Sequence, residues 1–165
     1  MVLTVIEKSL FLGKNNIPWN DVEKYLKKYI GQAYIVNEYQ DKINIAGDFP
    51  DEYTQSNYTK RLRGALAKIK ANAVQVIDLM IVNATNRRWI ENKALKHKAN
   101  ASEGWYRYDT YFAVSVKGSN EEQERWNQYR ATLVVRKTPK GLFLYDVIDI
   151  KKEARTPLKP RKTVR

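Results

Sequence analysis

The feature that most constrains the fold is a period-two alternation in three consecutive segments of the second half of the chain. Apolar and polar residues alternate along 105–116, 125–136 and 142–150, which is typical of β-strands that bury one face. Residues 138–141 carry a turn signal. Three sequential strands with short connections predict an α+β fold, in which an antiparallel meander sheet carries N-terminal helices packed on one face.

The same alternation assigns side chains to the two faces of the predicted sheet. One face is apolar and is expected to contact the helices through residues such as Tyr108, Phe112 and Leu133. The other face is expected to display cations, hydroxyls and one carboxylate, namely Arg107, Asp109, Tyr111, Arg130, Thr132 and Arg136. The sheet is therefore expected to have one packing face and one polar face.

Residues 1–56 are predicted to form a small accessory α+β unit, because this part is near-neutral in charge and contains no chemical motif. Strand, helix and turn signals follow one another within it. The expected elements are a strand over 2–12, a helix over 19–30 with Asn20 as N-cap, a hairpin of 33–37 and 42–46, and a polar loop over 47–57.

Residues 57–154 are predicted to form the main domain, and 155–165 a basic flexible tail. The domain is expected to begin with an alanine-rich helix, because apolar residues recur there at helical spacing. The expected elements ahead of the sheet are a helix over 59–74, with a stripe of Leu62, Leu66, Ile69 and Ala73, a helix end followed by a strand over 76–83, and a short helix over 86–96.

The formal net charge of +12 is concentrated in two parts of the chain. Residues 60–98 contain ten basic residues against two acidic ones, and 151–165 contain seven against one. Such clustering is the electrostatic footprint of a nucleic-acid binder. The alternative is a solvated charged helix followed by a basic disordered end.

Composition excludes several classes of site. The chain has no cysteine, so disulfides and thiolate metal sites are excluded, and one histidine makes a transition-metal site an unfavourable interpretation. We expect no metal and no cofactor. The sequence contains no signal peptide and no apolar run of membrane-spanning length. A cytoplasmic protein without a membrane partner is therefore predicted.

The sole histidine, His97, lies between two lysines and ahead of an aromatic and basic run. Imidazole can give and take a proton near neutral pH. Lys96 supplies a point charge for phosphate, and Arg107 a planar donor fork. These residue types suit chemistry on a phosphate backbone. The alternative is that His97 is a surface residue near a helix end, with the aromatic residues serving as cross-strand packing.

A series of motifs lies in residues 58–157 or begins directly before them. The motifs are Asn57-Tyr58-Thr59 with Leu62-Arg63-Gly64, Lys68-Ile69-Lys70-Ala71-Asn72-Ala73, Lys96-His97, Gly104-Trp105-Tyr106-Arg107-Tyr108-Asp109, Ala131-Thr132-Leu133-Val134-Val135-Arg136, Leu144-Tyr145-Asp146-Val147 and Ile150-Lys151-Lys152-Glu153. With these motifs the region resembles a nuclease-like domain carried by phages and conjugative elements. Such domains are similar to the barnase/EndoU/colicin/RelE-like ribonuclease superfamily, and the fold they imply is an antiparallel sheet with N-terminal helices.

The resemblance implies metal-independent RNA cleavage, in which the ribose 2′-hydroxyl attacks the adjacent phosphorus and leaves a 2′,3′-cyclic phosphate. Carried onto this sequence, it assigns proton transfer to His97, and stabilisation of the phosphorane charge to Arg107 and Arg136 with Thr132 as a hydrogen-bond donor. The second proton must pass through Tyr, Lys or water. The expected substrate-binding residues are Lys60, Arg61, Lys96, Trp105, Tyr108 and Tyr111.

Two functions remain open at this point. The first is a mobile-element endoribonuclease, with RNA as its nucleic acid and an immunity protein as a candidate partner. The second is a non-catalytic phage or mobile-element protein that binds and inhibits a host defence nuclease complex or its guide RNA. Fold resemblance does not fix activity. A third interpretation is a domain of a larger structural protein whose basic surface contacts nucleic acid.

Overall fold

Eight strands form one mixed sheet in the part of the chain that the computed structural model describes, which is residues 2–13, 15–91, 103–116, 125–153 and 161–165. The strands are β1 (Val2–Ile6), β2 (Ala33–Ile35), β3 (Lys42–Asn44), β4 (Thr85–Ile90), β5 (Gly104–Ser115), β6 (Trp126–Thr138), β7 (Gly141–Lys152) and β8 (Arg161–Val164). The helices within the same residues are α1 (Trp19–Leu26), α2 (Phe49–Gln55), α3 (Asn57–Arg61), α4 (Gly64–Ala73) and α5 (Ile77–Val82), with 3-10 turns at Lys27–Tyr29 and Val74–Val76.

The strand order is β2-β3-β7-β6-β5-β1-β8, and β4 pairs with the first half of β5. β5, β6 and β7 are consecutive antiparallel neighbours. β1 pairs in parallel with β5 and β8, and β3 pairs in parallel with β7. The α+β prediction is confirmed, whereas an antiparallel meander is not, because the sheet is mixed. Parallel neighbours need a long connection, and the chain between β1 and β5 and between β3 and β7 supplies one.

The main hydrophobic core lies between the helices and one face of the sheet. Tyr108, Phe112 and Leu133 on the sheet side pack in one cluster with Leu26 and Ile77 from the helices. These sheet residues belong to the face that period two predicted to be apolar, so that assignment is confirmed. A smaller cluster on the opposite face contains Leu3, Val5 and Ala113, with Tyr111 and Trp126 packed against it.

The first 56 residues contribute both strands and core residues to this arrangement. β1 and β3 belong to the same sheet as β5 to β7. Ile6, Val22 and Ile43 belong to the same core cluster as Leu133. The division into an accessory unit over 1–56, a main domain and a tail stays a prediction.

Four predictions about the helices were wrong. The expected polar loop over 47–57 contains α2, whose first turn has Pro50 together with acidic residues that suit the positive end of a helix. The expected strand within 76–83 is helix α5. The periodicity of a short apolar run cannot distinguish a helix from a strand, and here the run is buried as a helix. The expected single helix over 59–74 is interrupted before Gly64, which has a φ of +65°. Pro18, not Asn20, occupies the N-cap position of α1.

Two strands were not predicted. The expected helix over 86–96 is strand β4 as far as Ile90, and it pairs with β5 along the edge that β1 leaves uncovered. Covering a long strand edge satisfies backbone groups that would otherwise be unpaired, so tertiary pairing overrides the local helical signal. Arg161–Val164, within the expected tail, form β8 beside β1.

Candidate functional site

A pocket of about 770 Å³ lies between the α2–α3 segment and the polar face of β5, β6 and β7. Its helical wall is formed by the end of α2 and the start of α3. Its sheet wall is formed by outward-facing residues of the three long strands. The lining residues that carry chemistry are Glu52, Ser56, Tyr58, Glu91, Trp105, Arg107, Tyr145 and Asp146.

Strand register fixes the sheet wall of the pocket. Arg107 on β5 is paired with Val134 on β6, and Val134 is paired with Asp146 on β7. All three residues line the pocket. A guanidinium and a carboxylate are therefore held two strands apart on one face, with an apolar residue between them.

A β-bulge in β7 places two consecutive residues at this wall. Val134 pairs with Asp146 but Val135 pairs with Leu144, so Tyr145 is the additional residue. Leu144 is in the main core, whereas Tyr145 and Asp146 both line the pocket. Strict alternation would return Asp146 to the core face with Leu144. Bulges commonly redirect side chains near functional sites.

Arg107 is the cation of the pocket wall. Its Nε is buried and has no hydrogen-bond partner among the residues that the structure describes. A buried guanidinium donor without a partner is unfavourable, and the charge of this guanidinium would attract an anion that enters the pocket. The neighbouring wall is aromatic, since the rings of Trp105 and Tyr145 meet edge to face with centroids 4.9 Å apart.

Asp146 of the pocket wall belongs to a buried ion pair. Lys70 Nζ on α4 lies 2.7 Å from Asp146 Oδ1, and the side chains are 0% and 4% exposed. The ammonium also donates to the Thr59 hydroxyl. It lies 4.4 Å from the ring centroid of Tyr53 and 4.9 Å from that of Tyr58. The pair therefore joins α2, α3, α4 and β7 at one point.

Burial affects the titration of both partners. It raises the pKa of Asp146 and lowers the pKa of Lys70, and in each case the attraction between the partners opposes the effect of burial. The Asp146 carboxylate is also stabilised by hydrogen bonds from the Ser56 side chain and the Val147 backbone. Such opposed effects in a pocket are a physical signature of candidate functional groups.

Tyr145 and Glu52 form a second polar pair of the pocket wall. Burial, followed by the hydrogen bond to the Glu52 carboxylate, raises the pKa of Tyr145 to about 12. The phenol therefore stays protonated and donates to Glu52. This leaves Asp146, Glu52 and Glu91 as three carboxylates around one arginine.

Two of the expected site residues, Arg107 and Trp105, line the pocket. Thr132 lies on the same sheet face, paired with Asp109 and Ile148, and is 9% exposed. On this face Thr132 therefore lies in the row of paired residues next to the row that contains Arg107.

Arg136 is held by another carboxylate. Its two terminal nitrogens lie 2.7 and 3.2 Å from the oxygens of Asp48, and its guanidinium is 5.2 Å from the ring centroid of Phe143. A bidentate pair of this kind uses the donor fork that a phosphate would need. Arg136 is therefore satisfied internally, in contrast to Arg107.

The two expected tyrosines lie away from the pocket. Tyr108 is 0% exposed on the core face, and its hydroxyl donates to Asp41 Oδ2 at 2.7 Å. Its ring is therefore unable to stack on a base, which corrects that assignment. Tyr111 packs against the smaller cluster that contains Leu3 and Val5.

The remaining expected residues are basic or titratable. Lys60 and Arg61 are exposed on α3, the helix whose first residues line the pocket. Lys96 and His97 lie outside the described residues. The convergence of His97 with the sheet arginines therefore stays a prediction.

Residues without a role assigned from the sequence include three that line the pocket, Glu52, Tyr145 and Asp146, and the ion-pair partner of Asp146, Lys70. A signal for Lys70 was present, because it follows Leu66 by four residues and precedes Ala73 by three, which places it on the apolar helix stripe. A cation at a core position needs a buried anion. Asp146 is the partner, but only the bulge in β7 brings it there.

Comparisons with family models, curated proteins and solved structures gave no match to this chain. Within the described ranges, no group of three or more His, Cys, Asp or Glu side chains is arranged to hold a metal ion. No helix within them has the length and apolarity needed to cross a membrane. What the structure defines is an α+β protein with a mixed sheet and a pocket lined by aromatic and charged residues.

Proposed function

We propose that this protein is a mobile-element endoribonuclease-like protein that binds RNA and cleaves its phosphodiester bonds without a metal, leaving 2′,3′-cyclic phosphate ends. The observation that carries the proposal is the buried Nε of Arg107, which has no hydrogen-bond partner among the described residues and belongs to a pocket with an aromatic wall. Guanidinium groups in such positions suit phosphate oxygens. The net charge of +12 favours a polyanionic substrate.

Each part of the pocket has a counterpart in a single-stranded RNA chain. Arg107 would hold the phosphate at the reacting bond. Trp105 and Tyr145 present rings to an unpaired base, and stacking of this kind contributes about 1–3 kcal/mol per base. Lys60 and Arg61 on the exposed part of α3 would follow the backbone beyond the pocket.

The reaction needs two proton transfers and a cation. The ribose 2′-hydroxyl loses a proton as it attacks phosphorus, and the leaving 5′-oxygen gains one. The pocket contains three carboxylates able to accept the first proton. Either His97, the residue that the sequence favours for proton transfer, or a water molecule is proposed to donate the second.

The test is cleavage of a fluorescent single-stranded RNA in a chelator-containing buffer, with analysis of the product ends. We expect cyclic-phosphate products from the wild-type protein. Arg107→Gln should slow cleavage by about 10²–10³-fold, the usual loss when a charge-stabilising donor is removed. The matched control is Arg88→Gln. Arg88 is the cross-strand partner of Arg107, but its guanidinium is bonded to Asp109.

The control loses the same formal charge one strand away, so nonspecific electrostatic effects should appear in both variants. Equal rates for the two variants would contradict a phosphate site at Arg107. Intact RNA after prolonged incubation with wild-type protein would remove the catalytic proposal altogether.

A binding protein without catalysis is the second candidate, and the pocket's three carboxylates favour it because they repel a polyanion. RNA would then contact the exposed cations of α3 and its C-terminal side, Lys60, Arg61 and Arg63. Such a protein would inhibit a host defence complex by occupying it or its guide RNA. It should bind RNA without cleaving it, with affinity that falls steeply as salt rises, and charge reversal at Lys60 should weaken binding more than Arg107→Gln.

A further inference from the structure

We propose that Asp146, held in place by Lys70, accepts the proton of the attacking ribose hydroxyl. This assignment rests on the proposed endoribonuclease function and adds a catalytic residue to it. Asp146 and Arg107 are both paired with Val134, so they lie in one row across β5, β6 and β7. Lys70 acts through Asp146 and is a positioning residue.

The distance across the sheet suits one nucleotide linkage. Neighbouring strands are about 4.8 Å apart, so the backbones of Arg107 and Asp146 are separated by about 9–10 Å. Both side chains face the pocket, and Val134 lies between them. A phosphate bound at Arg107 would place its adjoining ribose over Val134, with the 2′-hydroxyl directed towards Asp146.

The contacts of Asp146 favour its ionised form, while burial raises its pKa. Oδ1 accepts from Lys70 Nζ at 2.7 Å and from the Val147 amide at 2.8 Å, and Ser56 adds a further hydrogen bond. A carboxylate offers about four acceptor positions, so one remains. Asp146 is 3% exposed, so bulk water is largely excluded from its carboxylate.

Replacing a buried ion pair by apolar residues is often neutral or stabilising. A buried ion pair therefore suggests a role other than stability. Here the chain buries the Lys70 side chain completely and carries a β-bulge at Tyr145 that turns Asp146 out of the core and onto the pocket wall. Both features are accounted for if a carboxylate is needed at that position of the pocket.

The two other pocket carboxylates suit the role less well. Glu52 accepts a hydrogen bond from the Tyr145 hydroxyl and lies on a helix. Glu91 is exposed and follows the end of β4. Neither lies in the row of Arg107. The charged and titratable groups that face Asp146 from the packed elements are Lys70 of α4, Tyr53 of α2, Tyr58 of α3 and Tyr145 of β7.

The proposed step balances without any further reactant. The 2′-oxygen forms a bond to phosphorus, and its proton moves to Asp146. The bond between phosphorus and the 5′-oxygen breaks, and that oxygen receives a proton from water. The products are a 2′,3′-cyclic phosphate and a 5′-hydroxyl, and Asp146 returns its proton to the hydroxide that remains, which restores the side chain and the water.

The experiment compares Asp146→Asn with Glu103→Gln and Glu153→Gln, which make the same change in two carboxylates that form exposed ion pairs with Lys137 and Arg130 and do not line the pocket. The substrate is a DNA oligonucleotide that contains a single ribonucleotide. Its cleavage under single-turnover conditions measures the rate of the chemical step. Asp146→Asn should slow cleavage by about 10²–10⁴-fold, as for loss of a general base. The affinity of this variant for the all-deoxy oligonucleotide should stay within about threefold of the wild-type affinity. The two glutamate variants should cleave within about tenfold of wild type.

If wild-type protein leaves the RNA intact, the proposed function fails, and this inference fails with it. If wild type cleaves and Asp146→Asn cleaves within about tenfold of it, only the present inference is overturned. Should Asp146→Asn fail to fold, the pH–rate profiles of variants at the remaining candidate bases decide. Glu52→Gln, Glu91→Gln and His97→Gln should each keep the acid-side limb of the wild-type profile, and loss of that limb in any one of them would assign the base to that residue.

Discussion

Replacing Lys70 by methionine should destabilise the protein strongly, because it leaves a carboxylate buried without its counter-ion. Lys70 is 0% exposed, and the side chain of its partner Asp146 is 4% exposed. Methionine retains most of the aliphatic volume of lysine, so packing changes little. The change therefore isolates the electrostatic loss.

The expected loss is about 3–5 kcal/mol of unfolding free energy, the usual cost of breaking a buried pair by removing one partner. The hydrogen bond to Thr59 and the contacts with the rings of Tyr53 and Tyr58 are lost as well. In a domain of this size, each kcal/mol lowers the melting temperature by about 2–4 °C. A decrease of about 6–20 °C is therefore expected.

Urea and thermal unfolding, followed by circular dichroism, measure the loss. Lys137→Met is the matched control, because Lys137 forms an ion pair with Glu103 in which both side chains are 42% exposed. That variant should lose no more than about 1 kcal/mol. The double variant Lys70→Met/Asp146→Asn should recover at least half of the loss, since it contains no unpaired buried charge.

The pH dependence gives a second check with a defined sign. Burial raises the pKa of Asp146, and Lys70 is the group whose attraction lowers it, so in Lys70→Met the folded-state pKa lies further above its unfolded value. Stability from such a group is present below the unfolded pKa and is lost as pH rises through the folded pKa. The difference in unfolding free energy between Lys70→Met and the double variant should therefore be larger at about pH 8 than at about pH 5. The reasoning would be refuted if the two variants were equally stable, or if their difference in unfolding free energy decreased with rising pH.

Two further changes probe the pocket and the strand beside it. Burial and Glu52 raise the pKa of Tyr145 to about 12, so the stability linked to its phenol is present below about pH 10 and is lost as pH rises to about 12. The unfolding free energy of Tyr145→Phe should therefore decline less steeply than that of wild type over this pH range. An unchanged slope would contradict the assignment. Gly104→Ala should lower the unfolding free energy by about 1–3 kcal/mol, since φ is +135° and the new Cβ would lie 2.5 Å from Trp89 Cζ2; a melting temperature equal to that of wild type would show that the ring moves freely.

The three long strands could be predicted from the sequence because each buries one face along its length. Period two identified β5 and β6 and assigned residues such as Phe112 and Leu133 to the core face. α1 and the hairpin of β2 and β3 were predicted for a related reason, since helical spacing or turn residues delimit them. In these elements local pattern and tertiary packing agree.

Elements whose form depends on distant partners were not predicted correctly. β4 becomes a strand because β5 offers it an unpaired edge. β1 and β3 join the sheet in parallel with β5 and β7, and the intervening chain gives no local sign of that orientation. Short segments gain most of their stability from such contacts, so propensity within the segment is a weak guide.

The candidate site depends on the feature that is hardest to predict, a shift of one residue in strand register. Alternation alone would place Asp146 on the face of Leu144, buried in an apolar core, where a carboxylate would be costly. The additional residue at Tyr145 instead brings Asp146 into line with Val134 and Arg107 on the polar face. An acidic residue within an apolar strand pattern, together with a lysine on an apolar helix stripe, is therefore a sequence signal for a buried pair and a bulge. Lys70 and Asp146 carried that signal jointly, and neither carried it alone.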